Sequence, residues 1–272
     1  MRASEDNTPV FDELCRRMEF TTHDKARLLE FVQPGKILEC GCGSGTVLAL
    51  IAAQFPSSEV IGVDYDSSLL LAAAKRLMGR NVLLIDMDMR RMHLAPHWRE
   101  TFSTVVFSSS LHEVESNFGL PTAEGVLRHA CGLLDGGGVL IWRDGVKPVG
   151  ADVVFRIKTA PIQAKFERFV NEYYRQVNYS LIDGGWISIS SFDLHNFLCK
   201  YYFEGELWAR DMRETFGVRT LRDYVNGLPP SLTVTHAEAY TLDVLRDMWA
   251  RHFEFRVAEP IASHMLIVAR KN

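Results

Sequence analysis

Between residue 24 and about residue 144 the apolar positions switch repeatedly between two spacings, and the switching predicts a succession of helices and strands. "DKARLLEFV" carries helical spacing, and "KILEC" is an apolar run of the length of a buried strand. "TVLALIAAQF" returns to helical spacing and stops at Pro56. "EVIGVDYD", "NVLLIDMD", "TFSTVVFSSS" and "GGVLIWRD" read as the second to fifth strands. Between them lie the helices "SSLLLAAAKRLM", closed by Gly79, and "AEGVLRHACGLL". Strands alternating with helices of this length imply βαβ units and a parallel sheet. Beyond Asp144 the rhythm breaks. "IQAKFERFVNEYYRQV", "FDLHNFLCKYYF" and "LRDYVNGL" have helical spacing without alternating strands, bracketed by the Gly- and Pro-bearing "DGVKPVGAD" and "NGLPPSLT". The alternation returns with a helix "LDVLRDMWARHF", a strand "EFRVAEPI" and a last strand "HMLIVARK". The expected organisation is an α/β core over residues 1–149 and 236–272, interrupted over 150–235 by a mostly helical insert that acts as a substrate lid.

The turn after the first strand, "ILECGCGSG", places glycines at 41, 43 and 45. A glycine turn between a strand and its helix brings backbone N–H groups close to a ligand. The dinucleotide pattern G-x-G-x-x-G is not met, because its third glycine would fall at Thr46 or at Leu48. A carboxylate, Glu39, stands two residues before the first glycine; it is a poor neighbour for a pyrophosphate and a good one for an ammonium group. Asp64 ends the second strand, where a carboxylate accepts from both hydroxyls of a ribose. Asp88 follows the third strand and is placed to accept from an adenine amino group, with the Met89 N–H beside it. Acids at three successive strand ends, without a phosphate loop, describe a pocket for a cationic adenosine derivative.

Composition narrows the partners. The 272 residues, 47% of them hydrophobic, suffice for a sizeable core. No apolar run approaches the roughly 20 residues that cross a bilayer. The opening "MRASEDNTPVFDEL" is polar and acidic, unlike a signal or transit peptide, so a cytoplasmic protein with no membrane partner is expected. Cys40 and Cys42 are one residue apart, which is not the C-x-x-C of zinc sites, so neither a metal nor a disulfide is expected. The formal charge of −4 makes a nucleic-acid partner unlikely in the absence of a local basic groove.

Taken as a set, these motifs resemble those of class I S-adenosylmethionine (SAM)-dependent methyltransferases. "ILECGCGSG" is similar to that family's glycine motif, "VIGVDYD" to its ribose motif and "IDMDMRRM" to its adenine motif. "VVFSSSLHEV" and "LLDGGGVLIWRD" are similar to its fourth- and fifth-strand motifs. The resemblance spans residues 24–144 and, more loosely, 240–271. It implies an α/β fold with a doubly wound, seven-stranded, mostly parallel sheet whose last strand is antiparallel, and SAM as cofactor. It also implies that Gly41, Gly43 and Gly45 approach SAM, that Asp64 holds the ribose and that Asp88 holds the adenine. Glu39, Cys42, Tyr65, Met89 and Ser108 complete the expected cofactor set. Cys40, the proline-free Asp135-Gly136 and the serines at 108–110 depart slightly from the family pattern.

The electrophilic methyl of such a cofactor asks the protein chiefly to align a nucleophile. A base is needed when the acceptor arrives protonated. His112 and Glu113 follow the fourth strand, and Arg143 ends the fifth, so these three are the catalytic candidates. The competing reading of His112 is that it anchors its loop, and that of Arg143 is that it pairs with Asp144 as structure. Trp186, Phe192, Tyr201, Tyr202 and Phe203 in the insert fit core better than pocket, and His195 fits a structural histidine. The function expected is methyl transfer to O, N or C of a small molecule. The alternatives are an RNA or nucleotide methyltransferase and a SAM-binding module without catalysis.

Overall fold

The computed structural model describes residues 8–256 and 261–272. The first seven residues, part of the polar opening segment, lie outside it, as do residues 257–260 of "EFRVAEPI". The strands are β1 (Lys36–Cys40), β2 (Glu59–Asp64), β3 (Val82–Asp86), β4 (Phe102–Ser108), β5 (Leu134–Gly145), β6 (Val153–Ile157), β7 (Tyr179–Ile182), β8 (Trp186–Ile189), β9 (Leu232–Tyr240), β10 (Phe253–Phe255) and β11 (His264–Lys271). Two N-terminal helices, α1 (Thr8–Phe20) and α2 (Thr22–Lys25), precede β1, with a 3-10 turn over Ala26–Glu30 between. The "DKARLLEFV" helix is therefore split in two. The crossover helices are α3 (Thr46–Gln54), α4 (Ser67–Arg76), α5 (Leu111–Phe118) and α6 (Leu120–Leu133).

Seven strands form one sheet in the order β3-β2-β1-β4-β5-β11-β9. The pairs β3·β2, β2·β1, β1·β4 and β4·β5 are parallel. β11 runs against β9: the Ser263 N–H donates to the Tyr240 carbonyl at one end and the Asn272 N–H to the Ser231 carbonyl at the other. This is the doubly wound sheet with an antiparallel last strand that the motifs imply. The central strands are apolar on both faces, with Ile37, Leu38, Val105, Val106, Leu140 and Ile141 buried, because helices cover both sides of a parallel sheet. α4 shows the local logic: Asp66 caps it, accepting from the Ser68 and Leu69 N–H groups, and Lys75 and Arg76 face its negative C-terminal end. The strand order reverses between β1 and β4, and in open α/β sheets ligands bind outside the carboxyl ends of the strands at such a reversal.

The chain divides into two compact units. The first comprises the residues up to Asp144 with Tyr224–Glu238 and Leu266–Asn272; the second comprises Gly145–Asp223 with Ala239–Met265. The second unit differs from the helical insert that spacing suggested. Alongside α7 (Ala160–Glu172), α8 (Ser191–Lys200), α9 (Gly205–Asp211) and α11 (Asp243–His252) it holds an antiparallel sheet in the order β10-β6-β8-β7. The division of the chain at Asp223–Tyr224 falls within a short helix, α10 (Leu221–Asn226). β7 and β8 form a hairpin through Asp183-Gly184-Gly185, whose glycines have φ of 81° and 75°. The strand read from "EFRVAEPI" is β10, which pairs with β6 rather than with the large sheet. The partner of β11 is instead β9, "LTVTHAEAY", whose burial alternates residue by residue. Its outward Thr, His and Glu dilute the apolar signal that a fully buried strand would give.

The core of the second unit is aromatic. Phe166 stands edge-on to Phe155 and Phe197 at 5.8 and 5.1 Å, and Trp208 and Tyr201 are buried with them. Tyr201 is thus core, as expected, whereas Trp186 lies under the guanidinium groups of Arg156 and Arg256 at 5.0 and 4.7 Å. Phe192 is similarly faced by Lys147 and Arg175. Tyr202 and Phe203 are partly buried against the core. His195 is a structural histidine: its Nε2 lies 3.1 Å from the Ser263 carbonyl oxygen, and burial pushes its pKa down to about 4.

Candidate active site

The β1–α3 turn is built on three glycines with φ of 74°, 51° and 76°, at Gly41, Gly43 and Gly45. L side chains rarely adopt this left-handed region. A Cβ on Gly41 would also lie 2.5 Å from the Ser110 Cβ and 2.9 Å from the Met89 Cε. The turn is therefore closed over by the residues that follow β3 and β4. Gly41→Ala is expected to combine backbone strain with overpacking and to cost about 2–4 kcal/mol. Urea denaturation measures this, and an unchanged midpoint would show that the turn relaxes freely.

Asp64, at the end of β2, is buried and locks this turn: its Oδ2 accepts from the Gly43 N–H at 2.7 Å, and its Oδ1 from the Asp66 N–H at 3.0 Å. Burial raises its pKa and these two N–H groups oppose the rise. Each oxygen keeps a second lone pair for a ribose hydroxyl. Tyr65, the next residue, is largely exposed.

Glu39 is 2% exposed, and its Oε2 has no hydrogen-bonding partner. Burial pushes its pKa up to about 8, and the Lys25 charge opposes the rise. Burial, with Arg143 nearby, pushes Lys25 down to about 8, and Glu39 opposes that fall. Ser44 and Ser108 contribute two further buried hydroxyl oxygens without partners. Cys42 is buried in the turn, its thiol pushed up by burial and by the Glu39 and Asp64 carboxylates.

Asp88 caps the 3-10 turn Met89–Leu94, accepting from the Arg90 N–H at 2.9 Å. It also takes the Arg90 guanidinium through both oxygens, which holds its pKa below the ordinary carboxylate value. Arg90 in turn lies 3.6 Å from the centroid of the Phe118 ring. An adenine amino group would share Asp88 with Arg90. Met89 is buried.

The catalytic candidates separate. Arg143 is 1% exposed and committed: its Nε donates to Asp24 Oδ2 at 2.6 Å and its Nη1 to Ser109 Oγ at 2.7 Å. Ser109, at φ 56°, also donates its N–H to the Arg143 carbonyl at 2.7 Å. Arg143 therefore braces the β4 and β5 ends against α2 and does not pair with Asp144. Asp144 instead meets His112, with Oδ1 2.7 Å from the imidazole Nδ1 and Oδ2 accepting the His112 N–H at 3.1 Å. Glu113 sits half-buried in the first turn of α5. Asp24 and Lys25 had no signal in the sequence, since they precede the motif-bearing strands. The Asp144–His112 pairing had one: β4 and β5 are neighbours, and "SSSLH" and "WRD" end them in register, with Ser108 opposite Arg143.

The site suits a cofactor that is cationic at one end and carries a nucleoside at the other. A buried carboxylate oxygen without a donor fits an ammonium group, and a carboxylate braced by two N–H groups fits a diol.

Comparisons with known proteins bear on the family and the fold. Residues 37–138 match the family model described as a methyltransferase domain. A ubiquinone/menaquinone biosynthesis C-methyltransferase of Syntrophotalea carbinolica is 34% identical over 98 residues, 30% of this chain and 41% of that protein. A trans-aconitate 2-methyltransferase of Methylobacterium radiotolerans is 33% identical over 108 residues, 39% of this chain and 36% of that protein. The chain thus matches less than half the length of these curated relatives. Among solved structures, a SAM-dependent methyltransferase from Mesorhizobium loti superposes with a TM-score of 0.58 at 16% identity, over 93% of this chain and 98% of its own. A plantazolicin methyltransferase superposes at 0.55 and 11% identity, over 98% and 92%. At these identities the superpositions establish the fold.

Proposed function

We propose that this chain, whose residues 37–138 match a methyltransferase domain, is a class I S-adenosylmethionine-dependent methyltransferase that transfers the methyl group of SAM to a small-molecule acceptor. The observation that carries the reading is Glu39, a buried carboxylate with an unpartnered oxygen beneath the glycine turn. The site residues are assigned accordingly. Glu39 takes the ammonium group, and Gly41, Cys42, Gly43 and Gly45 supply the close backbone. Asp64 and Tyr65 hold the ribose, and Asp88 and Met89 the adenine. Ser108 borders the reacting end, with His112 and Glu113 beyond it. When bound, the sulfonium supplies an electrophilic methyl; the residues above hold it in place and limit water around it.

A small acceptor is favoured over nucleic acid by charge. Nucleic-acid binders draw their affinity from clustered Lys and Arg. Residues 1–150 carry 15 Lys or Arg against 19 Asp or Glu, and residues 151–235 carry ten of each. The relatives named for trans-aconitate and for ubiquinone or menaquinone also point to small acceptors. The second unit leaves the sheet at the carboxyl end of β5, and it is assigned the acceptor specificity. Among the described residues no helix is long and apolar enough to cross a membrane. A cytoplasmic setting fits the five unpaired thiols, which a reducing compartment would keep so.

The test uses SAM carrying a labelled methyl group, with a metabolite extract in one arm and mixed RNA and DNA in the other. Label is expected in low-mass products. Label in nucleic acid, with binding that falls steeply with salt, would replace this reading by the nucleic-acid one. SAM binding by calorimetry without transfer in either arm would favour a binding module.

A further inference from the structure

The surface beside the turn that follows β3 brings together two histidines from separate elements. His93 lies in the 3-10 turn Met89–Leu94 and His129 on α6; both are exposed, and their ring centres stand 5.3 Å apart. The His93 Nδ1 lies 3.1 Å from the Arg90 carbonyl oxygen. A carbonyl oxygen only accepts, so Nδ1 carries the hydrogen and Nε2 keeps its lone pair. Metal-bound histidines are oriented in this way, with the second ring nitrogen donating to a carbonyl or a carboxylate. The spacing agrees. Metal–nitrogen bonds of about 2.0–2.1 Å at the tetrahedral angle hold two ring centres about 5 Å apart. Among the described residues no group of three or more His, Cys, Asp or Glu is placed to hold a metal, so water would fill the remaining positions. Arg128, the residue before His129, acts on it electrostatically and opposes a second positive charge. On an exposed surface, water and salt screen that opposition.

We propose that His93 and His129 together bind a divalent cation of the kind that suits imidazole (zinc, nickel or copper), and that this cation staples the turn after β3 to α6. Half the ligand set of a structural zinc site implies a dissociation constant on the order of 1–100 µM. The staple matters for what else the turn bears. Asp88 caps it by accepting from the Arg90 N–H, and the Arg90 guanidinium returns to the Asp88 carboxylate. Arg90 thus joins His93, through its carbonyl, to Asp88, through its N–H and its side chain. Holding His93 against α6 restricts all three. The remaining step rests on the methyltransferase reading above, in which Asp88 and Met89 hold the adenine. A turn already ordered by the cation costs SAM less to order, so SAM binds more tightly. By linkage, SAM raises the affinity for the cation by the same factor.

Calorimetric titration of the SAM-free protein with zinc chloride tests the site. His93→Asn and His129→Asn should each weaken zinc binding about 10-fold or more, as the loss of a ligand does at least as strongly as the loss of its outer partner. Both side chains are exposed, so the variants should melt with the wild type when zinc is absent. Zinc binding that is missing at about 1 mM, or that survives both substitutions undiminished, would overturn the site. Hydrogen exchange tests the staple: zinc should slow exchange of the turn's amides in the wild type and not in His129→Asn. Unaltered exchange with zinc bound would refute it. Calorimetry with SAM then reads the coupling, and zinc is expected to tighten SAM about 5-fold, the low end of measured couplings. Equal SAM affinity with and without zinc would overturn that step. Protein that takes zinc yet binds no SAM at all would count against the methyltransferase reading, while the zinc titration would still uphold the site.

Discussion

Asp64→Ala is expected to weaken SAM binding about 100-fold while the protein stays folded. The carboxylate has two tasks. Toward the ligand it offers a lone pair on each oxygen to the ribose hydroxyls, and hydrogen bonds to a charged group are worth roughly 1.5–3 kcal/mol. Toward the protein it holds the Gly43 and Asp66 N–H groups at 2.7 and 3.0 Å. Losing the second task loosens the turn on which the ligand rests, so the effect should lie at the upper end of that range. Asp64→Asn should also bind poorly, because its amide would turn a donor toward one of the two N–H groups. Calorimetric titration with SAM or its demethylated product decides the matter. Unchanged affinity in Asp64→Ala would remove Asp64 from the site.

Glu39→Gln is expected to act in opposite directions on stability and on binding. Burial pushes the Glu39 acid up from 4.5 to about 8. A raised acid contributes stability that is fully present below its unfolded pKa and is lost as pH rises through the folded value. Lys25, lowered from 10.5 to about 8, contributes in the other sense: its stability is full above 10.5 and is lost as pH falls toward 8. Both groups therefore weaken the ligand-free protein most near pH 8. Removing the acid should raise the thermal midpoint at pH 8 by about 4 °C or more, at roughly 2–4 °C per kcal/mol in a chain of this size, and change little near pH 4. SAM affinity should drop, because the ammonium group loses its counter-charge. A variant that is no more stable at pH 8, yet binds SAM normally, would contradict both halves.

The parallel half of the large sheet was readable because each strand there is buried on both faces and each crossover helix is bounded by a cap, a Pro or a Gly. What escaped the pattern had one face exposed. β9 alternates polar and apolar residues and so lacks the run of a buried strand, while β10 has only Phe253–Phe255 in strand and pairs with β6 outside the large sheet. The hairpin of β7 and β8 has strands of only four residues each, too short to show a period of their own beside the helical spacing around them. At the site, Glu39, the glycines, Asp64 and Asp88 were legible because a motif fixes their places at strand ends. The partners of His112 and Arg143 were not, since Asp144 and Asp24 reach them through tertiary contacts between elements far apart in sequence. Arg143 is a catalytic candidate by its place at the end of β5, but its burial and its ion pair with Asp24 give it a bracing role.

The position of β11 between β5 and β9 also bears on how the chain is made. β5 ends at Gly145 and β11 begins at His264, so about 120 residues separate two strands that lie side by side. At roughly 5–20 residues per second on the ribosome, β5 emerges about 6–24 s before its neighbour exists. During that interval one edge of an apolar strand offers unpaired N–H and C=O groups to any passing strand. The second unit gives no early relief, since Ala239–Met265 belongs to it and is also made late. The nascent protein is thus most exposed to mispairing along β5, and a chaperone acting during synthesis would have most to shield there.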